Sequence, residues 1–379
     1  MKRGELPLDG IRVVELCWVW SGPMMGQQLA DLGAEVVKIE WYDRFDLYRT
    51  RGVERLRGKI PERVRRESSF SFQSLNRNKL GFAADLKSEQ GIGLVKDLIR
   101  ESDIVLENFT VGTLERLGLG AQIIREINPA IVLISLSATG RGSSIEGLRG
   151  YGLMLSALGG YEDEVRDDQH QFVGSPTFVM SDPNAALFGV FAALAGVLHA
   201  KRTGVGAHFE CSQVEAVATL MDAPSISEHA DTTIEGIYPA ADGTFVAVTL
   251  YEPVDSVATN HNELEAWVAN RSGHDAVTEL EARGGCAAQV HSLGETGAGT
   301  VFAGAEVRQA TLHPMSGKRD LIAAPWQVDG RRPAIRKPAP QLGESNEYVM
   351  RHILGMSEDD IEIMHSACVV DEPLNRDAS

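Results

Sequence analysis

Asp182 stands directly before Pro183 in the run "SDPNAALFGVFAALAGVLHAKRTG", where one acidic residue opens a long and almost wholly apolar segment. Aspartate at a helix cap with proline at the first helical position is a favoured way to start a helix. Gly189 and Gly196 fall on one face of that helix and alanines fill much of the remainder, so neighbouring backbone can approach closely. A carboxylate at the first turn of such a buried helix is held ionised by backbone N–H groups and by the positive end of the helix dipole. Held that way, it is also fixed and ready to act as a nucleophile. Capping and nucleophilic attack are compatible roles, and the residues around Asp182 have to decide.

Other chemistry is not signalled. No G-x-G-x-x-G follows a strand, since "GRGSSI" and "GLGAQI" both fail at the last position. The phosphate-binding G-x-x-x-x-G-K-[ST], the zinc motif H-E-x-x-H and the nucleophile elbow G-x-S-x-G are all missing. The histidines form no ligand-spaced cluster, so no metal is expected, and His208 in "AHFEC" reads as structural. Cys17, Cys211, Cys286 and Cys368 are scattered without a CxxC pair, which argues against a disulfide framework. Asp163, Glu164, Asp167 and Asp168 make a charged loop ahead of Asp182 that reads as solvated surface.

The elements that must position Asp182 are legible in the first part of the chain. "IRVVEL", "EVVKIE", "LGFAADL", "DIVLEN" and "AIVLISLS" are short apolar strands. Between them lie the helix "PMMGQQLADLG", starting at Pro23, the helix "SEQGIGLVKDLIRES", and two short helices in "VGTLERLG" and "AQIIREIN". Apolar strands separated by helices imply a parallel sheet covered on both faces, an α/β fold. Ligands of such sheets gather at the carboxyl ends of the strands, which directs attention to the loops beginning at Trp18, Trp41, Asn108 and Ala138. From Gly236 the pattern changes. "GIYPAADGTFVAVTLY" carries Asp242-Gly243 between two alternating runs, the signal of a hairpin.

At 379 residues the chain is too long for one ordinary core. The expected division is a large domain over 1–214, a linker helix over 215–235 and a small α+β domain over 236–329. A return linker and the C-terminal part of the large domain follow over 330–379. A helix near the end begins at Ser357, with Asp360 at capping-box spacing.

With 43% hydrophobic and 23% charged residues, the composition is that of a folded protein. The net charge of −17 and the lack of a basic face argue against a nucleic-acid partner. An anionic ligand must therefore be met by a few local cations against the protein's own field. The opening "MKRGELPLDG" lacks the apolar core of a signal peptide. The longest apolar run, Ala185 to Leu198, is 14 residues. That falls short of the ~20 a membrane span requires. The expectation is a cytoplasmic protein with no membrane partner.

The order of several blocks then matters more than any one of them. "LDGIRVVEL…SGP…QLADLGAEVVKIE", "LNRNKLGFAADLKSEQG", "DIVLENFTVGTLERLGLG", "INPAIVLISLSATG" and "SDPNAALFGVFAALAGVLHAKRTGVGAHFECS" together resemble the family III CoA-transferases. These are the CaiB/BaiF enzymes similar to formyl-CoA and carnitine CoA-transferases. The resemblance runs over residues 8 to 215, and "PAPQLGE" and "SACVV" echo the family's ending. It implies a Rossmann-like large domain with a parallel sheet, a smaller domain, and two chains threaded through each other as an interlocked homodimer.

It also implies that Asp182 is the nucleophile. CoA would move from an acyl-CoA to a free carboxylic acid through an aspartyl mixed anhydride and an aspartyl-CoA thioester. CoA and acyl-CoA are then substrates, with no permanently bound cofactor. By the same resemblance, CoA is held by Ala84, Lys87, Asn108, Phe109, Arg116 and Arg149, and Ser21 lies on the loop near its pantetheine end. Trp20 and Trp41 stand where some members carry polar and basic CoA contacts, and Gly152 stands where many carry an acid. Two other readings stay open. An α-methylacyl-CoA racemase shares the fold, but uses a histidine where this chain has Tyr151, a poor base at neutral pH. A non-catalytic CoA-binding protein is the third.

Overall fold

The computed structural model describes residues 6–165, 179–221, 233–252, 254, 257–291 and 306–371. The six strands β1 (Arg12–Leu16), β2 (Glu35–Glu40), β3 (Leu80–Ala83), β4 (Ile104–Glu107), β5 (Val132–Ser137) and β6 (Ala207–Ser212) form one sheet. Their order is β3-β2-β1-β4-β5-β6, and every pairing is parallel. The strand order reverses between β1 and β4, the place where a ligand crevice opens in such sheets.

Apolar residues line both faces of the sheet because helices cover both. The helices are α1 (Ser21–Asp31), α2 (Glu62–Arg65), α3 (Phe70–Asn76), α4 (Glu89–Arg100), α5 (Thr113–Arg116), α6 (Ala121–Ile127), α7 (Gly152–Leu158), α8 (Tyr161–Glu164), α9 (Ser181–Thr203) and α10 (Gln213–Ala218). On one face Val14, Val37, Val105 and Leu133 pack with Leu94, Leu98 and Ile124 of α4 and α6. On the other, Val13, Val36, Leu106 and Ile134 pack with Leu29 of α1 and Ala185, Ala186 and Ala193 of α9. The glycines of α9 are there for close approach. A Cβ on Gly189 would lie 2.1 Å from Met25 Sδ, and one on Gly196 would lie 2.6 Å from Val132 Cγ1. By length and composition α9 could cross a membrane, but its glycine and alanine face is packed on the sheet as a core helix is.

The chain divides into two units, Met1–Asp222 with Val307–Ser379, and Ala223–Glu306. The second holds an antiparallel sheet of β7 (Ile234–Pro239), β8 (Phe245–Leu250) and β9 (Cys286–Gln289), with the expected turn at Asp242-Gly243. Helices α11 (His261–Ala269) and α12 (Gly273–Ala282) bury Leu264, Val268 and Leu280 with Val246 and Val248 of its centre. The hairpin β10 (Arg308–His313) and β11 (Gly317–Ile322) groups with the first unit, although the sequence reading carried the small domain to residue 329. Hydrogen bonding explains the difference. Gln309 Oε1 accepts from Ile335 N at 2.7 Å and its amide donates to Pro333 O at 3.3 Å, which ties the hairpin to the returning chain. Of the expected linker helix, α10 is seen at its start, and residues 222–232 lie outside the described residues. Asp167 and Asp168 lie outside them too, while Asp163 is exposed.

Beneath α1 sits a cluster of charges with no exposure at all. Lys38 Nζ lies 3.1 Å from Glu15 Oε1 and 3.0 Å from Asp46 Oδ2, and donates to Cys17 O at 2.7 Å. Lys79 Nζ meets Glu15 Oε2 at 2.7 Å and donates to Pro23 O at 2.8 Å. Asp46 Oδ1 accepts from both Val19 N and Tyr48 N at 2.9 Å. Val19 has φ of 75°, a conformation in which a β-branched residue is strained. The buried network therefore holds the loop from Cys17 to Trp20 in a shape it would not adopt alone. Asp46→Asn keeps an acceptor for both N–H groups but removes the charge opposite Lys38. Chemical denaturation should show a loss of about 3 kcal/mol, the lower end for breaking a buried pair, because Glu15 still faces the lysine. An unchanged unfolding free energy would show that Glu15 suffices.

Candidate active site

Asp182 is not the cap of α9. Met180 occupies that position with no side-chain hydrogen bond, the helix begins at Ser181, and Asp182 is its second residue. The carboxylate turns instead toward α1, where the backbone N–H and the hydroxyl of Ser21 stand near enough to pull its pKa down. Ser21 is the first residue of α1, so the positive ends of two helices converge on one half-buried carboxylate. Burial pushes the Asp182 pKa above its ordinary value, against the pull of the Ser21 hydrogen bonds and of Arg51.

Three neighbours hold this arrangement. Gln213 Nε2 donates to Ser21 Oγ at 3.0 Å, and the amide oxygen of Gln213 is buried without a partner among the described residues. Ser181 Oγ donates to Gly152 O at 2.9 Å, fixing the start of α9 against the start of α7. Gly152 matters for what it lacks, since a Cβ there would lie 2.2 Å from Asp182 Oδ2. The carboxylate occupies the space that a side chain at 152 would need.

Tyr48 and Arg51 complete the surroundings. Tyr48 is buried, and burial pushes its phenol up to about 12, with the charges of Arg51 and Asp182 acting on it in opposite directions. The Arg51 guanidinium lies 4.8 Å from the centre of the Tyr48 ring. Sequence reasoning missed both, because they sit in the irregular charged stretch after β2, where no periodicity points to a role. It missed Gln213 as well, although that residue follows β6 directly and the strand-end rule would have found it.

A cavity of about 350 Å³ opens at the carboxyl ends of β2, β3 and β4. Ala84, Lys87 and Phe109, three of the expected contacts, line it together with Trp18, Trp41 and Arg44. Trp18 belongs to the loop that leads to Ser21. A model of the family described as CoA-transferase family III matches residues 8–255 and 253–346.

The chain belongs to CoA-transferase family III.

It is therefore a transferase, and CoA thioesters are the substrates of such enzymes. The chain is 26% identical to the succinyl-CoA–D-citramalate CoA-transferase of Chloroflexus aurantiacus, over 97% of this chain and 99% of that one. It is 27% identical to the mouse succinyl-CoA:glutarate CoA-transferase, over 97% and 91%. A probable CoA-transferase of Mycobacterium tuberculosis is 28% identical over 95% of this chain, which spans half of that longer protein. Among solved structures, a CaiB/BaiF family protein of Brucella suis superposes with a TM-score of 0.77 at 22% identity, covering 92% of this chain and 99% of that one. The likeness confirms the fold.

The other residues expected to contact CoA are placed differently from one another. Asn108 spends both ends of its amide on the backbone of Trp18, accepting from N at 2.9 Å and donating to O at 2.8 Å. It shapes the loop before Ser21. Phe109 is held in the cavity wall by its N–H, which donates to Glu107 Oε2 at 2.8 Å. Arg116 is exposed at the rim, where its guanidinium donates to Thr113 Oγ1 at 2.8 Å, and Thr113 lines the cavity. Arg149 is exposed before α7, outside the cavity lining. Trp41 is buried with its ring edge against Tyr42, and Arg44 brings a cation to the same cavity.

Proposed function

We propose that the protein moves CoA from an acyl-CoA thioester to a free carboxylic acid with Asp182 as nucleophile. A carboxylate oxygen of Asp182 attacks the thioester carbonyl, the C–S bond breaks, and a mixed anhydride and CoA thiolate result. The thiolate attacks the aspartyl carbonyl, which breaks the anhydride C–O bond, releases the donor acid as its carboxylate and leaves an aspartyl-CoA thioester. An acceptor carboxylate attacks that thioester, and the same two steps run in reverse. No proton is gained or lost over the cycle.

The observation that carries this reading is the half-buried carboxylate of Asp182 in the first turn of α9, beside Ser21 at the start of α1. The neutral phenol of Tyr48 is a proton donor available for charge that develops on a carbonyl oxygen beside it. CoA lies in the cavity of Ala84, Lys87 and Phe109, and Lys87, Arg44 and Arg116 meet its phosphates. The strand order of the larger unit supports its Rossmann-like reading as a CoA-binding domain. A second copy of the chain is proposed to cover the outer face of α9, where Leu187, Phe188, Phe191 and Leu198 are exposed, Phe191 by 73%.

The test is to incubate the protein with a panel of acyl-CoAs, add hydroxylamine and look by mass spectrometry for a hydroxamate at Asp182. Modification elsewhere, or none despite exchange, would overturn the assignment. A second result concerns pH. Attack requires the ionised carboxylate, and the Ser21 hydroxyl lowers a pKa that burial has raised. Ser21→Ala should therefore move the acidic limb of kcat/KM to higher pH. A limb that stays in place would show that this hydroxyl does not set the ionisation of Asp182.

A further inference from the structure

We infer that Arg51 selects acyl groups carrying a second carboxylate, by receiving that carboxylate while the first is joined to Asp182; this rests on Asp182 being the nucleophile. Arg51 is an exposed residue on a fixed stretch of backbone. Its carbonyl accepts from Ser69 Oγ at 2.7 Å, and its N–H donates to Tyr48 O at 3.3 Å. The guanidinium is laid on the Tyr48 ring, and a stacked guanidinium keeps its hydrogen-bonding edge free for a partner in the same plane.

The same segment shows what its arginines usually do. Arg49 pairs with Glu40 and Glu67 at 2.7 Å, and Arg65 pairs with Glu62. Among the described residues Arg51 has no carboxylate within ion-pair distance. Its charge acts on Asp182 and on Glu54, whose fully exposed carboxylate is taken by the Gly52 N–H at 2.9 Å. Tyr48 packs with Val19 and Trp20 directly before Ser21, so the guanidinium on its ring is a permanent, unneutralised cation on the side of the proposed nucleophile. Once Asp182 is acylated its own negative charge is gone, and the cation has no counter-charge on that side.

A dicarboxylic acyl group supplies one. Its distal carboxylate offers the two oxygens that a guanidinium fork binds in parallel. The need is sharper in this chain, whose net charge of −17 disfavours any dianionic acid unless a local cation compensates. A monocarboxylic acyl group of the same length leaves Arg51 facing a methyl group.

The experiment compares succinyl-CoA with butyryl-CoA, equal in chain length, as donors to acetate in the wild type and in Arg51→Met and Arg51→Lys. The wild type should prefer succinyl-CoA. Arg51→Met should lower the succinyl-to-butyryl ratio of kcat/KM by about 30-fold, the scale of a hydrogen-bonded charge pair, mainly through KM. Arg51→Lys should recover part of the ratio, because it restores the charge without the fork. Equal losses on both donors, an unchanged ratio, or a wild-type preference for butyryl-CoA would overturn the inference while leaving acyl exchange through Asp182 intact. Absence of exchange by the wild type with either donor would overturn the Asp182 reading, and this inference with it.

Discussion

Asp182→Asn should give a folded protein with acyl exchange reduced by at least ~10⁴-fold, the scale on which removing a covalent nucleophile falls. The substitution is isosteric, and the amide oxygen takes the place of a carboxylate oxygen beside the Ser21 N–H and hydroxyl. What is lost is the second nucleophilic oxygen and with it the anhydride. The fold should not suffer. Burial raises the Asp182 pKa in the folded state, so between the unfolded and folded values the native chain binds the extra proton and stability falls as pH rises. At neutral pH the ionised side chain is a cost that a neutral amide does not carry. The variant should melt no lower than the wild type at pH 7, by circular dichroism or calorimetry. Exchange above about a hundredth of the wild-type rate in such a folded variant would remove Asp182 from the mechanism, since a lost nucleophile costs far more than that.

Gly152→Ala should lower kcat by about 10²-fold, the penalty for displacing a reacting group by roughly an ångström. A Cβ at this position would lie 2.2 Å from Asp182 Oδ2 and 2.3 Å from Val179 Cγ1. Both are ends of side chains, so the clash is relieved by turning them away rather than by moving backbone. Turning the carboxylate takes it off Ser21. Gly152 is the first residue of α7, where alanine suits the helix better than glycine. Stability should therefore change little, and the loss belongs to the displaced carboxylate. Wild-type kcat in Gly152→Ala would show that attack tolerates another orientation.

The parallel sheet was legible because a strand buried on both faces can only be written as a nearly continuous apolar run. "VVEL" and "EVVKIE" are such runs, yet each contains a charge. Glu15 and Lys38 stand directly opposite each other in the register of β1 and β2, which is why both are buried without exposure. Nothing local announces that pairing, since it depends on which strand lies beside which. Similarly, the glycines of α9 told of close approach but not of Met25 and Val132 as the neighbours.

The same division runs through the candidate site. Asp182 before Pro183 marked a helix start, and block order marked the family. That the helix begins two residues earlier, with the carboxylate turned to Ser21, follows from packing α9 against α1. Ala84, Lys87 and Phe109 share a cavity because β3 and β4, with β1 and β2 between them, all end on one side of a parallel sheet. Tyr48 and Arg51 come from a stretch without periodicity, which is tied to the loop before Ser21 by the Val19 N–H on Asp46 and to α3 by the Ser69 hydroxyl on the Arg51 carbonyl. Sequence alone determined which faces are apolar, where the strands end and which family the chain joins, since these are written in residue type and local spacing. The tertiary structure decided which charged and polar side chains meet, because those contacts join residues far apart in the chain and arise only once strand order and register are set.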